Sequence, residues 1–139
     1  MAATAALLGF PLPMAPLSWS ESVPSAARLA PREWLIRGGS AAAISARLEG
    51  VDHLCVEVGP GRRVWRLAGA GVRDLLSSGC AIDLHPAAFP VGRCVRTRLA
   101  GVEAVISRLD ETGFELIVES SVADYVGAWL RDAAAGFDR

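Results

Sequence analysis

The sequence predicts an α+β domain, with antiparallel sheets and with helices packed on one face. Residues 93–118 contain three apolar segments of strand length joined by two short turns, and strands joined in this way pair antiparallel. An amphipathic segment at residues 121–135 follows and can pack as a helix on the sheet. The first half of the chain shows strand, strand and helix in that order. We therefore expect one domain, 1–139, built from two ferredoxin-like half-units at about 1–60 and about 61–139.

The first half is expected to hold two helices and three strands. Gly9 and the proline-rich segment after it would stop the first helix, and Ser40 is placed to cap the second. The third strand is inferred from the alternation in VDHLCVEV, where Leu54, Val56 and Val58 share one face. The predicted elements are the helices Ala2–Leu8 and Ala41–Leu48 and the strands Ala26–Leu29, Glu33–Arg37 and 51–58.

The second half is expected to hold four strands and two helices. Gly59-Pro60-Gly61 is a strong turn signal, so the first of these strands is predicted to form a hairpin with residues 51–58. Later turns are expected at Ala100-Gly101 and at residues 110–113. The predicted elements are the strands Arg63–Ala68, Arg93–Leu99, Val102–Leu109 and Phe114–Val118 and the helices Gly69–Gly79 and Ser121–Ala135.

Composition excludes several classes of protein. Hydrophobic residues make up 52% of the 139 residues and charged residues 21%, which is typical of a globular domain and not of a disordered one. The net charge is −1 and the basic residues are scattered, so a nucleic-acid surface is not expected. Three widely spaced cysteines and an N-terminus that lacks a basic segment and is interrupted by prolines favour a soluble protein of the cytoplasm.

The expected register gives the three-stranded meander a second apolar face. If Leu109 pairs with Phe114, Val105 and Val118 lie opposite each other on the face that the last helix does not cover. Arg96 and Arg98 lie on the same side. Either a second sheet of this chain or a partner subunit would have to cover that face. If a partner does so, Arg96, Arg98, Val105 and Val118 are the expected interface residues.

The loop before the meander holds residues that could form a catalytic site. Cys80, Asp83, His85 and Arg93 lie within fourteen positions, and a cysteine beside a histidine is a possible nucleophile pair. However, Pro86 forces the backbone of His85 to be extended, which limits the directions in which its imidazole can point. The favoured interpretation is a shaped connection in which Asp83 binds backbone amides and His85 is partly exposed.

A metal site and a phosphate site are not expected. His53, Cys55 and Glu57 alternate on one face of the predicted strand, but alternate positions lie about 7 Å apart, too far for easy chelation of one ion. The glycine-rich segments match neither phosphate-loop pattern.

The segment Gly69–Leu130 resembles the γ subunit of heterotetrameric sarcosine oxidase. The resemblance is carried by GAGVRDLLSSGCAIDLHPAAFPVGRCVRTRLAGVEAVISRLDETGFELIVESSVADYVGAWL. Its most specific part is the pattern G-C-x-I-D-L-H-P-x-x-F-P-x-G-R-C-x-x-T-R, which begins at Gly79. Upstream, PREWLI at Pro31–Ile36 is similar to a shorter element of the same family.

This resemblance implies an accessory subunit with a fold of the aminomethyltransferase, folate-binding type. The complex it implies has α, β, γ and δ subunits and demethylates sarcosine oxidatively to glycine, producing hydrogen peroxide and passing one carbon to tetrahydrofolate. FAD, FMN, NAD and zinc would belong to the partner subunits, with α the subunit in contact. The family assigns no catalytic, cofactor-binding or metal-binding residue to this chain.

Three alternatives remain open at this point. A subunit of a related oxidase or dehydrogenase of N-methyl amino acids would share the architecture. A stand-alone folate-binding module would need a carboxylate for the pterin ring, and Asp83 is the candidate. A small enzyme would use Cys80 or Cys94 as a nucleophile with His85 as its base.

Overall fold

The α+β fold class is confirmed. The computed structural model describes residues 6–137, and the chain divides into two compact units, Met1–Gly59 and Pro60–Arg139. Each unit contains one antiparallel sheet. The ferredoxin-like organisation predicted for each half stays a prediction.

The first unit is built on a small sheet in the order β1-β2-β3. One helix, α1, follows the sheet, and the side chain of Ser40 caps it by accepting a hydrogen bond from the amide of Ala43. Residues 6–8 are helical, and the rest of the predicted first helix lies outside the described residues. The elements are β1 Trp19–Ser20, β2 Ser25–Ala30, β3 Glu33–Arg37 and α1 Ala41–Arg47. The core residues are Leu8, Leu12, Ala26, Ile44 and Leu48.

The strand predicted at residues 51–58 is wrong. This segment pairs with no strand in the part of the chain that is described, and Gly59–Gly61 forms a 3-10 turn instead of a hairpin turn. Leu54 is 90% exposed. Alternation shows only which side chains share a face, and a strand also needs a partner edge. The expected partner, the strand at residues 62–68, pairs instead with residues 113–119.

The second unit is built on a four-stranded sheet in the order β4-β7-β6-β5. A short helix, α2, precedes the loop at residues 78–93, and a long helix, α3, ends the described chain. The elements are β4 Arg62–Ala68, α2 Val72–Ser77, β5 Cys94–Leu99, β6 Val102–Arg108, β7 Gly113–Glu119 and α3 Ala123–Phe137. A 3-10 turn at Ser120–Val122 takes the first turn of the predicted last helix.

The helices of the second unit pack on one face of its sheet, as predicted. Side chains of α2 and α3 meet alternate side chains of β5, β6 and β7 there. The apolar periodicity of the last helix identified its buried face correctly, since Val126 and Leu130 are buried. The core residues include Leu75, Leu76, Leu84, Phe89, Leu99, Ile106, Phe114, Leu116, Val118, Val126 and Leu130.

The predicted register of the second hairpin is wrong by one residue. Phe114 pairs with Arg108 and not with Leu109, whereas the first hairpin pairs Leu99 with Val102 as predicted. The Asp110 carboxylate accepts hydrogen bonds from the amides of Thr112, at 2.9 Å, and Gly113, at 2.7 Å. This turn chemistry fixes where the strands close, and a shift of one residue moves every side chain to the other face.

Candidate functional site

The face of the second sheet that lies opposite α3 is predominantly charged. We call it the charged face. Its central row, across the four strands, is Val64, Ile117, Val105 and Arg96. The expectation that β7 presents only apolar residues on this face is therefore wrong, because the shifted register places Glu115 and Glu119 on it. The other members of the charged face are Arg62, Arg66, Cys94, Arg98, Glu103, Ser107, Glu115 and Glu119.

Three of the four predicted interface residues share this face. Arg96 lies opposite Val105, and Arg98 lies opposite Glu103, in the pairing of β5 with β6. Both arginines are exposed, and the Arg98 guanidinium donates a hydrogen bond to the Gly101 carbonyl. Val105 belongs to the centre of the face and, at 8% exposed, is already buried within the chain itself.

The placement of Val118 on this face is wrong. Val118 pairs with Ala104, is 2% exposed, and lies in the core beneath the helices. The cause is the one-residue register shift, which turns Val118 inward and leaves Ile117 opposite Val105. Val118 therefore cannot line a surface of the folded chain.

Ion pairs cross the charged face between β4 and β7. Arg62 Nη1 lies 2.9 Å from Glu119 Oε1, and Arg66 Nε lies 3.6 Å from Glu115 Oε2. Arg62, Arg66 and Glu119 keep much of their side chains in solvent, so these pairs contribute little to stability. Their main effect is to orient the side chains of two arginines of β4 along the sheet.

The loop with Cys80, Asp83 and His85 forms a backbone-bonded turn. Asp83 Oδ1 accepts from the amide of His85 at 2.9 Å, and His85 Nδ1 accepts from the amide of Ala87 at 3.2 Å. His85 is exposed, and Cys80 makes no hydrogen bond with it in the described chain. This geometry supports the interpretation as a shaped connection.

Arg108 holds this loop in place, although no sequence pattern identified it as a residue of the site. Its side chain is 2% exposed. Nη1 donates to the Phe89 carbonyl at 2.9 Å, Nε to the Asp110 carbonyl at 3.2 Å and Nη2 to the Glu111 carbonyl at 3.3 Å. The sequence signal is its position in the strand, because Arg108 lies on the same face of β6 as the core residues Ala104 and Ile106.

Two of the three residues considered as metal ligands have other partners. His53 bonds the Val51 carbonyl through Nδ1 at 2.8 Å and the Ser45 hydroxyl through Nε2 at 3.1 Å. Glu57 accepts a hydrogen bond from the amide of Ala41 at 3.3 Å. Between residues 6 and 137 there is no group of three histidine, cysteine, aspartate or glutamate side chains that could hold a metal ion.

No helix within residues 6–137 combines the length and the apolar character that crossing a membrane requires.

Comparison with known proteins identifies relatives along the whole chain. A profile of the sarcosine oxidase, gamma subunit family matches residues 1–136. The sarcosine oxidase subunit gamma of Corynebacterium sp. (strain U-96) is 29% identical over 139 residues, which cover 97% of this chain and 68% of that protein. The sarcosine oxidase subunit gamma of an Arthrobacter species is 29% identical over 99 residues, which cover 71% of this chain and 49% of the relative. The chain thus spans about half the length of this second relative.

A solved structure shares the fold. A chain of the heterotetrameric sarcosine oxidase from Corynebacterium sp. U-96, in complex with pyrrole 2-carboxylate, superimposes with a TM-score of 0.89 and 26% identity. The match covers 99% of this chain and 74% of that chain. Together with the profile match over residues 1–136, this establishes the family. The chain belongs to the sarcosine oxidase, gamma subunit family.

Proposed function

We propose that this chain is an accessory subunit of a heterotetrameric sarcosine oxidase. The observation that carries the proposal is the likeness to a chain of such a complex, at a TM-score of 0.89 over 99% of this chain. The geometry agrees with an accessory role, because the loop that could have formed a cysteine–histidine site is a turn closed by Asp83 and His85. The contribution of the subunit is then to dock on its partners and position them.

The proposal extends to the partners and the reaction. The complex consists of α, β, γ and δ subunits, and it demethylates sarcosine to glycine with formation of hydrogen peroxide and transfer of one carbon to tetrahydrofolate. FAD, FMN, NAD and zinc are held by the partner subunits, and the assembly works in the cytoplasm. The single domain docks on the α subunit through the exposed part of the charged face, with Arg96 and Arg98 in contact.

Co-expression tests the assembly. The tagged chain is produced with the other sarcosine oxidase subunits of its own organism, and the complex is purified by affinity and size-exclusion chromatography. We expect all four subunits to elute together and to form hydrogen peroxide with sarcosine. A chain that elutes alone under these conditions contradicts the proposal.

Charge reversal on the charged face is expected to weaken assembly. Arg96→Glu/Arg98→Glu changes two exposed side chains on β5, so the fold should persist while an oppositely charged partner surface is repelled. We expect the Kd for the partner subunits to rise at least about tenfold, as measured by surface plasmon resonance. Arg32→Glu in the β2–β3 turn, an exposed residue of the other unit, serves as the control. An unchanged Kd would exclude these arginines from the interface.

Loss of the His85 imidazole is expected to leave catalysis intact. His85→Asn places its Oδ1 where Nδ1 accepts from the Ala87 amide, so the turn is retained while any base function is lost. We expect kcat and KM for sarcosine in the assembled complex to stay within about twofold of the wild type. A fall in kcat of a hundredfold at unchanged assembly would instead assign this loop to the chemistry.

A further inference from the structure

A groove in the second unit lies between helix α3 and the edge strand β4. Its volume is about 280 Å³. We call it the α3–β4 groove, after the elements that form it. It lies on the helix side of the sheet, away from the charged face, because Arg63 and Trp65 pair with the core residues Val118 and Leu116. The lining residues are Arg63, Trp65, Ala123, Asp124, Gly127 and Arg131.

Gly127 opens the floor of this groove. A Cβ at this position would lie 3.7 Å from Arg131 Nη1 and 3.9 Å from Trp65 Cζ2, both ordinary contact distances. Packing therefore does not require glycine here, although a glycine inside a helix destabilises it relative to alanine. The missing side chain leaves open space between the indole ring and the guanidinium group.

The groove carries a surplus of positive charge. Arg63 and Arg131 are both exposed, and within residues 6–137 neither forms an ion pair or a hydrogen bond. Asp124 is the one acidic residue among those that line the groove, so the lining is net positive in a chain whose net charge is −1. The other two arginines of β4 are paired with glutamates on the opposite face.

The dimensions of the groove suit an extended segment. The lining residues on α3 run from Ala123 to Arg131, which corresponds to about 12 Å along a helix. That length accommodates about three or four residues of extended chain. The groove also runs along β4, which ends the strand order of its sheet and so presents unpaired backbone groups beside it.

We infer that the α3–β4 groove binds an acidic, extended segment of a partner subunit. A carboxylate of that segment lies between Arg63 and Arg131, where two charge-assisted hydrogen-bond donors meet it, and its apolar stem covers Trp65. This inference rests on the proposed function, because it takes the partner from the same complex. It adds a second docking surface on the side of the sheet opposite the charged face.

The test measures affinity for the partner subunits with variants of the full chain. Arg63→Glu/Arg131→Glu should raise the Kd at least about tenfold, as expected for loss of one charge-assisted contact. The wild-type affinity should fall between 50 and 300 mM NaCl, and that of the variant should fall less, because the attraction at the groove is gone while that at the charged face remains. Arg32→Glu, exposed in the first unit, is the control and should bind as the wild type does.

A second variant separates docking from folding. Gly127→Gln improves helix propensity and places a neutral side chain in the open floor. We expect an unfolding temperature at or above that of the wild type together with a Kd raised at least about fivefold. Wild-type affinity of Gly127→Gln and of the double arginine variant would overturn the inference, while leaving the proposed function intact.

Other occupants give distinguishable results, each of which overturns the inference. A free anion would show as a thermal shift with citrate that the arginine variant loses, with normal assembly. A second copy of the chain would show as a concentration-dependent dimer that the variant abolishes. A wild-type chain that never associates with the other subunits contradicts the proposed function and this inference with it.

Discussion

Replacing Arg108 by methionine is expected to lower the free energy of unfolding by about 3 kcal/mol. The guanidinium group donates to the carbonyls of Phe89, Asp110 and Glu111, and the residue is 2% exposed. Methionine fills most of the same volume but leaves these carbonyls without their donor, and a buried acceptor without a partner is destabilising. Chemical denaturation of the purified chain measures the change.

Two controls locate the origin of this effect. Arg108→Lys retains the positive charge but not the planar guanidinium with its several N–H donors. It should therefore recover only part of the lost free energy of unfolding. Glu111→Gln should change stability by less than about 0.5 kcal/mol, because the Glu111 side chain in the pair with Arg108 is 87% exposed. If Arg108→Met unfolds at the same denaturant concentration as the wild type, the arginine is not the anchor of the loop.

Replacing Gly79 by alanine is expected to cost about 2 kcal/mol of stability. A Cβ at this position would lie 2.5 Å from Trp129 Cζ2 and 3.1 Å from Leu99 Cδ1. The indole of Trp129 is rigid and Leu99 is buried in the core. Either the Trp129 ring on α3 or the end of α2 must therefore move. Thermal and chemical denaturation should both show the loss.

A double-mutant cycle distinguishes this clash from a general effect of alanine at the loop. In a Trp129→Phe background the ring is smaller, and Gly79→Ala should then cost less than about 0.5 kcal/mol. Alanine at Gly61, where a Cβ meets nothing within 4 Å, is the control and should be nearly neutral. Equal losses in both backgrounds would show that Trp129 is not what excludes a side chain at this position.

These predictions give physical content to the sequence signature that begins at Gly79. Leu84 and Phe89 enter the core, Asp83 closes a turn on the His85 amide, and the Phe89 carbonyl receives the Arg108 side chain. Each of these residues shapes the connection between α2 and β5. A pattern that looks like a set of catalytic residues therefore describes how one long loop is fixed to the sheet.

Much of the fold could be predicted from the sequence because its signals are local. The apolar periodicity of α3, the turn at Ala100-Gly101 and the capping by Ser40 depend on neighbours in the chain. The strand predicted at residues 51–58 failed because its partner had to come from elsewhere. The segment alternates correctly, yet no edge in the described chain pairs with it.

The sequence by itself determined the α+β class, the order of most elements, the pairing of β5 with β6 and the family. Only the tertiary structure decided which edge β4 pairs with, and that the Asp110 turn shifts β7 by one residue. That shift moves Val118 into the core and makes the opposite face charged. Packing of the loop and of α3 against the sheet buries Arg108 and places Arg63 and Arg131 along one groove. Sequence patterns act over one or two turns, whereas strand partners and registers depend on contacts between distant segments, which exist only once the chain has folded.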